Sequence, residues 1–286
     1  MKTESQHQSD QQPDGSLTRL GKLPVEAHNA VTVGTLLLAV IIYEVIARFG
    51  FPGLDIIFPS VIEVAEEFVW LFQSQTVYPH FVVTMQTVLI ASTLAAVVGI
   101  IGGLSLGANK FAADAVEPLL YYFSSLPKIT LYPLFLVALG VGIESRVVAG
   151  FLSALFPITV NCITGALSVK EQLVRVGEIY RVSRWQLLKF VYIPSTITHI
   201  INGLRLGVAG SLLTIVLAEL FASQGGLGNR VGFFFSNLQT ARMYATILFL
   251  FVLSLIINFG FLYLQQYLAR RGYGVEESGA DDSVLM

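Results

Sequence analysis

Residues 168–194 read SVKEQLVRVGEIYRVSRWQLLKFVYIP and carry five cations, Lys170, Arg175, Arg181, Arg184 and Lys189. Apolar runs long enough to cross a bilayer lie on both sides. A short basic stretch between two such runs belongs on the cytoplasmic face, because short loops on that side collect Lys and Arg. Ser168 and Glu171 have capping-box spacing, and so do Ser183 and Gln186. This predicts two short helices, about Val169–Tyr180 and Arg184–Tyr192, with a bend near Arg181–Ser183. Pro194 is read as ending the second helix and admitting the next span. A rigid helix–bend–helix on the positive side of a membrane has the shape of an element that docks on a soluble partner and transmits a push. For an arbitrary membrane protein, a solvated amphipathic connector is the plainer alternative.

The rest of the chain supports a membrane setting. Of 286 residues, 54% are hydrophobic and only 13% charged, about half the ~25% charge of a soluble domain. The net charge of -2, with no basic stripe or tail, gives no reason to expect a nucleic-acid partner. The single cysteine, Cys162, excludes an intramolecular disulfide and reads as a small buried hydrophobe. Residues 1–28 are polar and without a small-residue cleavage site, so they read as a disordered cytoplasmic tail before an uncleaved first span. Residues 273–286 read as a second cytoplasmic tail.

Between the tails, residues 29–272 form one membrane domain. Six windows reach the ~20 apolar residues a spanning helix needs: Asn29–Phe49, Phe81–Gly107, Pro118–Ile143, Val147–Leu167, Gly203–Ala222 and Tyr244–Leu264. None alternates with a period of two, so a barrel is not expected and the fold class is an all-α integral membrane protein with six transmembrane helices. Six spans put both termini on one side. With the N-terminus inside, eleven of the 17 Lys and Arg are cytoplasmic, four (Arg48, Arg146, Arg230, Arg242) are outside, and Lys128 and Arg205 fall within spans.

Two outer segments are too short or too polar to span. One opens at Ser60 and Glu63, again with capping-box spacing, and presents Val61, Val64, Phe68 and Leu71 on one face, as a helix lying on the outer interface would. The other is Gly225–Met243, expected to cap the outer mouth. Gly99, Gly103 and Gly107, and separately Gly203 and Gly207, recur every four residues, which predicts close helix contacts in lipid.

Four charges fall inside spans: Glu44, Lys128, Arg205 and Glu219. Such charges face the bundle interior or a cavity. Lys128, Arg205 and Glu219 are therefore the candidates for a translocation path. Lys128 either stands beside a water-filled path, where it would suit an anion, or pairs with a neighbouring carboxylate. Arg205 and Glu219 are four turns apart on one helix, too far to pair directly, and each snorkels or meets a neighbouring helix. GLSLGANK at 103–110 lacks phosphate-loop spacing. His7, His28, His80 and His199 are scattered, so no catalytic or metal cluster is expected.

The 168–194 stretch resembles the cytoplasmic EAA loop of permease subunits of type I ABC importers. The pattern there is E-A-A-x-x-x-G, about nine residues, an apolar residue, x and Pro. Anchored on Pro194, the pattern's Gly falls on Arg181 and its E-A-A on Arg175, Val176 and Gly177, so the first half is degenerate. The second half, SRWQLLKFVYIP, is very similar to the nitrate/sulfonate/taurine branch. So are GLRLGVAGSLLTIVLAELFASQGGLG (203–228), FPSVIEVAEEF and VEPLLYYFSSLPKITLYPLFLVALGVG. The resemblance covers about Phe51–Leu268.

It implies the MetI-like ABC importer permease fold, in a multi-pass subunit of the bacterial plasma (inner) membrane. It also implies two cytoplasmic ABC ATPase subunits, an extracytoplasmic solute-binding protein and a second permease copy in a homodimer. ATP and Mg would be bound by the ATPase, with no cofactor in this chain and no catalytic residue of its own. The ATPase-coupling contact carries over to Arg175, Val176, Gly177, Glu178, Arg181, Ser183, Arg184 and Trp185. The implied cargo is a small anionic solute. The rival class is an ion-coupled secondary transporter, which would need internal repeats with matching broken helices, and no matching pair is found.

Overall fold

The computed structural model describes residues 25–49 and 57–271, the side chains of 25–30, 32, 33, 36, 49 and 178 excepted. The two tails lie outside the described residues, apart from 25–28, which belong to the first helix. The chain divides into two compact units, residues 1–61 and 62–286. In the first, α1 (Val25–Phe49) covers the first apolar window. Its last turns hold the following chain: the Tyr43 hydroxyl donates to the Pro59 carbonyl at 2.9 Å, and Glu44 accepts the Val61 amide at 2.8 Å.

Every regular element among the described residues of the second unit is a helix. After α2 (Val61–Gln73) come α3 (Tyr78–Gly107), α4 (Lys110–Ser125), α5 (Tyr132–Leu139) and α6 (Ile143–Leu167). They are followed by α7 (Glu171–Ile179), α8 (Arg184–Leu187), α9 (Ile193–Phe221), α10 (Leu227–Ser236) and α11 (Thr240–Arg270). Among the described residues four helices are long and apolar enough to cross a membrane by themselves: α3, α6, the continuous helix Arg184–Phe221, and α11.

The third apolar window is not one straight helix. The chain bends by 78° between α4 and the turn leading into α5. Pro127 is the cause. The residue before a proline is pushed out of the α region, and Leu126 has ψ 134. A single 3-10 turn, Lys128–Leu131, then leads into α5, with Pro133 placed in its first turn, where a missing N–H is harmless. Counted as one broken span, the pair brings the number in this unit to five.

Helix α6 is the axis of the unit. Its Ala154, Ile158, Cys162 and Ala166 are buried between α3 and α9. The glycine series make this possible. A Cβ on Gly103 would lie 2.6 Å from the Cys162 Cβ and 2.7 Å from the Thr159 carbonyl oxygen. A Cβ on Gly207 would lie 2.8 Å from Ile158 and 3.0 Å from the Ala154 carbonyl oxygen. Helices approach this closely in lipid only where side chains are absent, because dispersion and not water exclusion drives the contact. Leu94, Val97, Leu213 and Ile256, on the outer faces of α3, α9 and α11, are exposed, as hydrocarbon-facing residues would be.

Helix α2 packs on the bundle. Leu71 is buried with Val77, Leu227, Phe234 and Ala245, and Val64 and Phe68 pack on the same cluster, as the shared face predicts. Glu67 accepts from Arg242 of α11 at 3.0 Å, and the same guanidinium lies 4.3 Å from the Trp70 ring centre.

Candidate functional site

The basic loop folds as two helices around a tight bend. α7 is closed by a backbone bond from the Val182 amide to the Gly177 carbonyl, 3.1 Å. That six-to-one closure needs a left-handed residue just past the helix. Arg181 takes it, with φ 51. The alignment on Pro194 thus puts the pattern's glycine on a residue that adopts a glycine-like backbone. Gly177 is buried where the bend folds back, and a Cβ there would lie 2.6 Å from Leu187.

Ser183 and Gln186 form the expected capping box, with bonds of 2.8 and 3.2 Å. The second helix does not end at Pro194. It passes through a π turn, Leu188–Tyr192, into α9, where the Ile193 amide bonds back to Leu188. The wider turn relieves the clash between the proline ring and the preceding turn, so the helix continues.

Val176, Ile179, Tyr180, Val182 and Trp185 are exposed on this bend, while Arg175 is paired with Glu171 at 2.7 Å. Arg184 is likewise exposed. The side chain of Glu178 lies outside the described residues, though its backbone belongs to α7. The result is an apolar surface with a basic rim, outside the spans. Substituting Arg181→Gly is expected to stabilise the bend by up to about 1 kcal/mol, since removing the left-handed penalty outweighs the extra freedom of the unfolded chain. Hydrogen exchange at the Val182 amide should then slow by about fivefold, and Arg181→Val should speed it.

Lys128 and Arg205 sit at one depth of the bundle. Lys128 donates to the Ser124 carbonyl, capping the end of α4, and its Nζ lies 5.4 Å from the centre of the Phe156 ring. Phe156 in turn stacks on Phe123 at 5.7 Å. Arg205 donates to Asn202 Oδ1 at 2.8 Å, and Asn202 donates to Asn161 Oδ1 at 3.1 Å. Gly203 and Gly207, which flank Arg205, both contact Ile158. Phe156 and Ile158 are two residues apart on α6, roughly 3 Å along its axis. Both cations are thus held near the middle of the span by carbonyl and ring groups. Among the described residues neither has a carboxylate within ion-pair distance.

Glu219 is different. It has no exposed surface and lies near the opposite end of α9 from the basic loop. Its carboxylate accepts from the Thr84 hydroxyl (3.0 and 2.8 Å), from Arg146 Nη1 (3.2 Å) and from the Gly228 amide (3.1 Å). Thr84 accepts the Leu227 amide at 2.9 Å, and His80 Nδ1 accepts the Gly226 amide at 3.2 Å. Three consecutive amides at the start of α10 therefore end on side chains of α3 and α9. Gly226, at φ 105, is required, because a Cβ there would fall inside the Glu219 carboxylate.

The three intramembrane candidates therefore do not form one cluster. Glu219 meets a neighbouring helix rather than Arg205, and its partner is Arg146, which the sequence reading had placed with the outer cations. Arg146 is 8% exposed, in the first turn of α6. The signal was present in the sequence: opposite charges lie near the start of one span and the end of another.

Residues 95–272 match the family described as binding-protein-dependent transport system inner membrane component. The chain is 24% identical to the taurine transport system permease protein of Escherichia coli over 250 residues, 86% of this chain and 90% of that one. It is 30% identical to a nitrate import permease protein of Synechocystis over 165 residues, 58% of each chain. Among solved structures, the MetNI methionine ABC transporter in an inward-facing conformation superposes with a TM-score of 0.57 at 18% identity. That match covers 70% of this chain and 96% of the other.

Proposed function

The chain belongs to the binding-protein-dependent transport system inner membrane component family, the permeases of ABC importers, and from that premise we propose that its cargo is a small anion. The family supplies the coarser statements: a multi-pass membrane protein with the MetI-like fold, which relies on a separate ATPase subunit and a solute-binding protein and is not itself an enzyme. It also answers the alternative of an ion-coupled secondary transporter.

The observation that carries the anionic reading is the charge balance at mid-span. Among the described residues Lys128 and Arg205 hold two positive charges with no carboxylate beside them, whereas Glu219 is matched by Arg146. Unmatched charge inside a membrane is costly and marks an ion or substrate path. A cation 4 Å from a passing anion lowers its energy by about 4 kcal/mol at an effective dielectric constant near 20. Nitrate, named in one relative, is an anion, and taurine, named in another, is a zwitterion that bears a sulfonate, so both present an anionic oxygen group to such a path. In this reading two copies form a homodimer in the bacterial inner membrane, with both termini cytoplasmic. Val176, Tyr180, Arg181 and Trp185 of the bend dock on the ATPase, and Arg175, Gly177, Glu178, Ser183 and Arg184 shape that contact.

The test is uptake into proteoliposomes containing the permease, its ATPase and its binding protein. Arg205→Gln is expected to reduce uptake of the anionic solute at least tenfold with the complex still assembled. Undiminished uptake by Arg205→Gln and Lys128→Gln together would sink the anionic path.

A further inference from the structure

The Arg146–Glu219 pair does something a structural fastener does not require. Replacing a buried ion pair by apolar side chains of similar volume commonly leaves a fold as stable or more so. A pair earns its place when it must open and close, since each charge regains hydration on separation. Here water can reach the Arg146 side of the pair, while Glu219 itself has no exposed surface. A cavity of about 250 Å³ adjoins that side, lined by Arg146, Gly142, Ser223, Gln224 and Gly225. Arg146 spends Nε on the Gly142 carbonyl (3.0 Å) and Nη1 on Glu219 and the Gly225 carbonyl (3.4 Å). Among the described residues its Nη2 has no protein partner. The three amides at the start of α10 bond to side chains of α3 and α9 and not to backbone, through a turn containing Gly225 and Gly226, while Leu227 and Phe234 pack in the apolar cluster with Leu71 and Ala245.

We propose that Glu219 is the positioning residue of a releasable cap: its carboxylate seats the start of α10 on α3 and α6, and this seat opens and recloses in each transport cycle. Arg146 is the counter-charge that holds the carboxylate in the closed form and faces the cavity when it opens. The cap motion concerns the end of the bundle opposite the basic loop, so the ATPase contact and the cap bracket the spans. The proposal rests on the importer reading only for its readout.

The test fixes the closed form and asks whether transport survives. A Cβ at Gly225 would lie 4.0 Å from Val83 Cγ1, within reach of a short thiol cross-link. In a Cys162→Ala background, Val83→Cys and Gly225→Cys are introduced singly and together, and the assembled importer is reconstituted. Each single variant should transport. The cross-linked double variant should lose at least nine-tenths of its uptake and recover it on reduction. Uptake undiminished by complete cross-linking would overturn the proposal. Absence of ATP-driven uptake in the unsubstituted assembled importer would instead count against the importer reading.

A second measurement separates positioning from mere packing. Glu219→Gln keeps the size and one acceptor oxygen, replaces the other oxygen by a donor NH2 and removes the charge. It should raise the labelling rate of Ser223→Cys by an impermeant maleimide at least tenfold in complexes that still assemble. An unchanged rate in such complexes would contradict the role given to the carboxylate.

Discussion

Gly103→Leu is expected to eliminate folded permease, while Gly102→Leu, one residue away, should behave like the parent. A Cβ on Gly103 meets the Thr159 carbonyl at 2.7 Å and the Cys162 Cβ at 2.6 Å, both on the axial helix α6, whereas nothing lies within 4 Å of one on Gly102. The obstructing carbonyl is backbone, which no rotamer change relieves, so α3 and α6 must move apart along a contact that also includes Gly99 and Gly107. Overpacking a core costs about 1–3 kcal/mol when side chains can adjust, and a leucine against backbone belongs above that range. Gly102→Leu should stay within about 0.5 kcal/mol. Thermal unfolding of the two variants in the same detergent, followed by monodispersity, decides the matter. Equal stability would mean that the α3–α6 contact is not the axis of the fold.

Arg146→Ala should cost about 3–5 kcal/mol, because it strands the Glu219 carboxylate without its counter-charge in a place with no exposed surface. Glu219→Ala alone should also be severe, since it strands the guanidinium and leaves the Gly228 amide unbonded. Combining Arg146→Met with Glu219→Met should restore part of the stability lost by either alone, because no charge is then left alone, although the Gly228 amide stays unbonded. The cycle built from Arg146→Met, Glu219→Met and their combination should therefore show strong non-additivity, of the order of 2–3 kcal/mol. Additive losses would mean that the two residues act separately. Recovery of stability without recovery of transport is the pattern a releasable cap predicts.

The spans were legible because apolar length is a direct consequence of bilayer thickness. Five of the six windows fall on unbroken helices, the Ser183–Gln186 spacing forms its capping box and Ser60 directly precedes α2. The Ser168–Glu171 spacing does not open a helix at Val169: Ser168 closes α6 and α7 starts at Glu171. The break in the third window was legible too, since Pro127 and Pro133 interrupt it, but the 78° bend that Leu126 and Pro127 impose locally is invisible to hydropathy. Pro194, by contrast, misled. A proline ends a helix only where the preceding turn cannot widen, and here a π turn absorbs it.

The Arg146–Glu219 pair was hidden for a different reason. Each charge was classified by its own segment, whereas the contact exists only once α6 and α9 run antiparallel with matching ends. The left-handed backbone at Arg181 was foreshadowed by the alignment to a glycine, yet no property of an arginine would announce it.

The most direct test of the account is whether this chain holds an ATPase through its basic bend. The permease is to be purified from its own membranes in mild detergent together with whatever remains bound. The expected result is a stoichiometric ATPase chain whose hydrolysis rises with the solute-loaded binding protein, and which is lost when Val176, Tyr180 and Trp185 are replaced by Asp. A permease that keeps a fully active ATPase after those replacements, or that never carries one under conditions that preserve a known importer of this family, would contradict it.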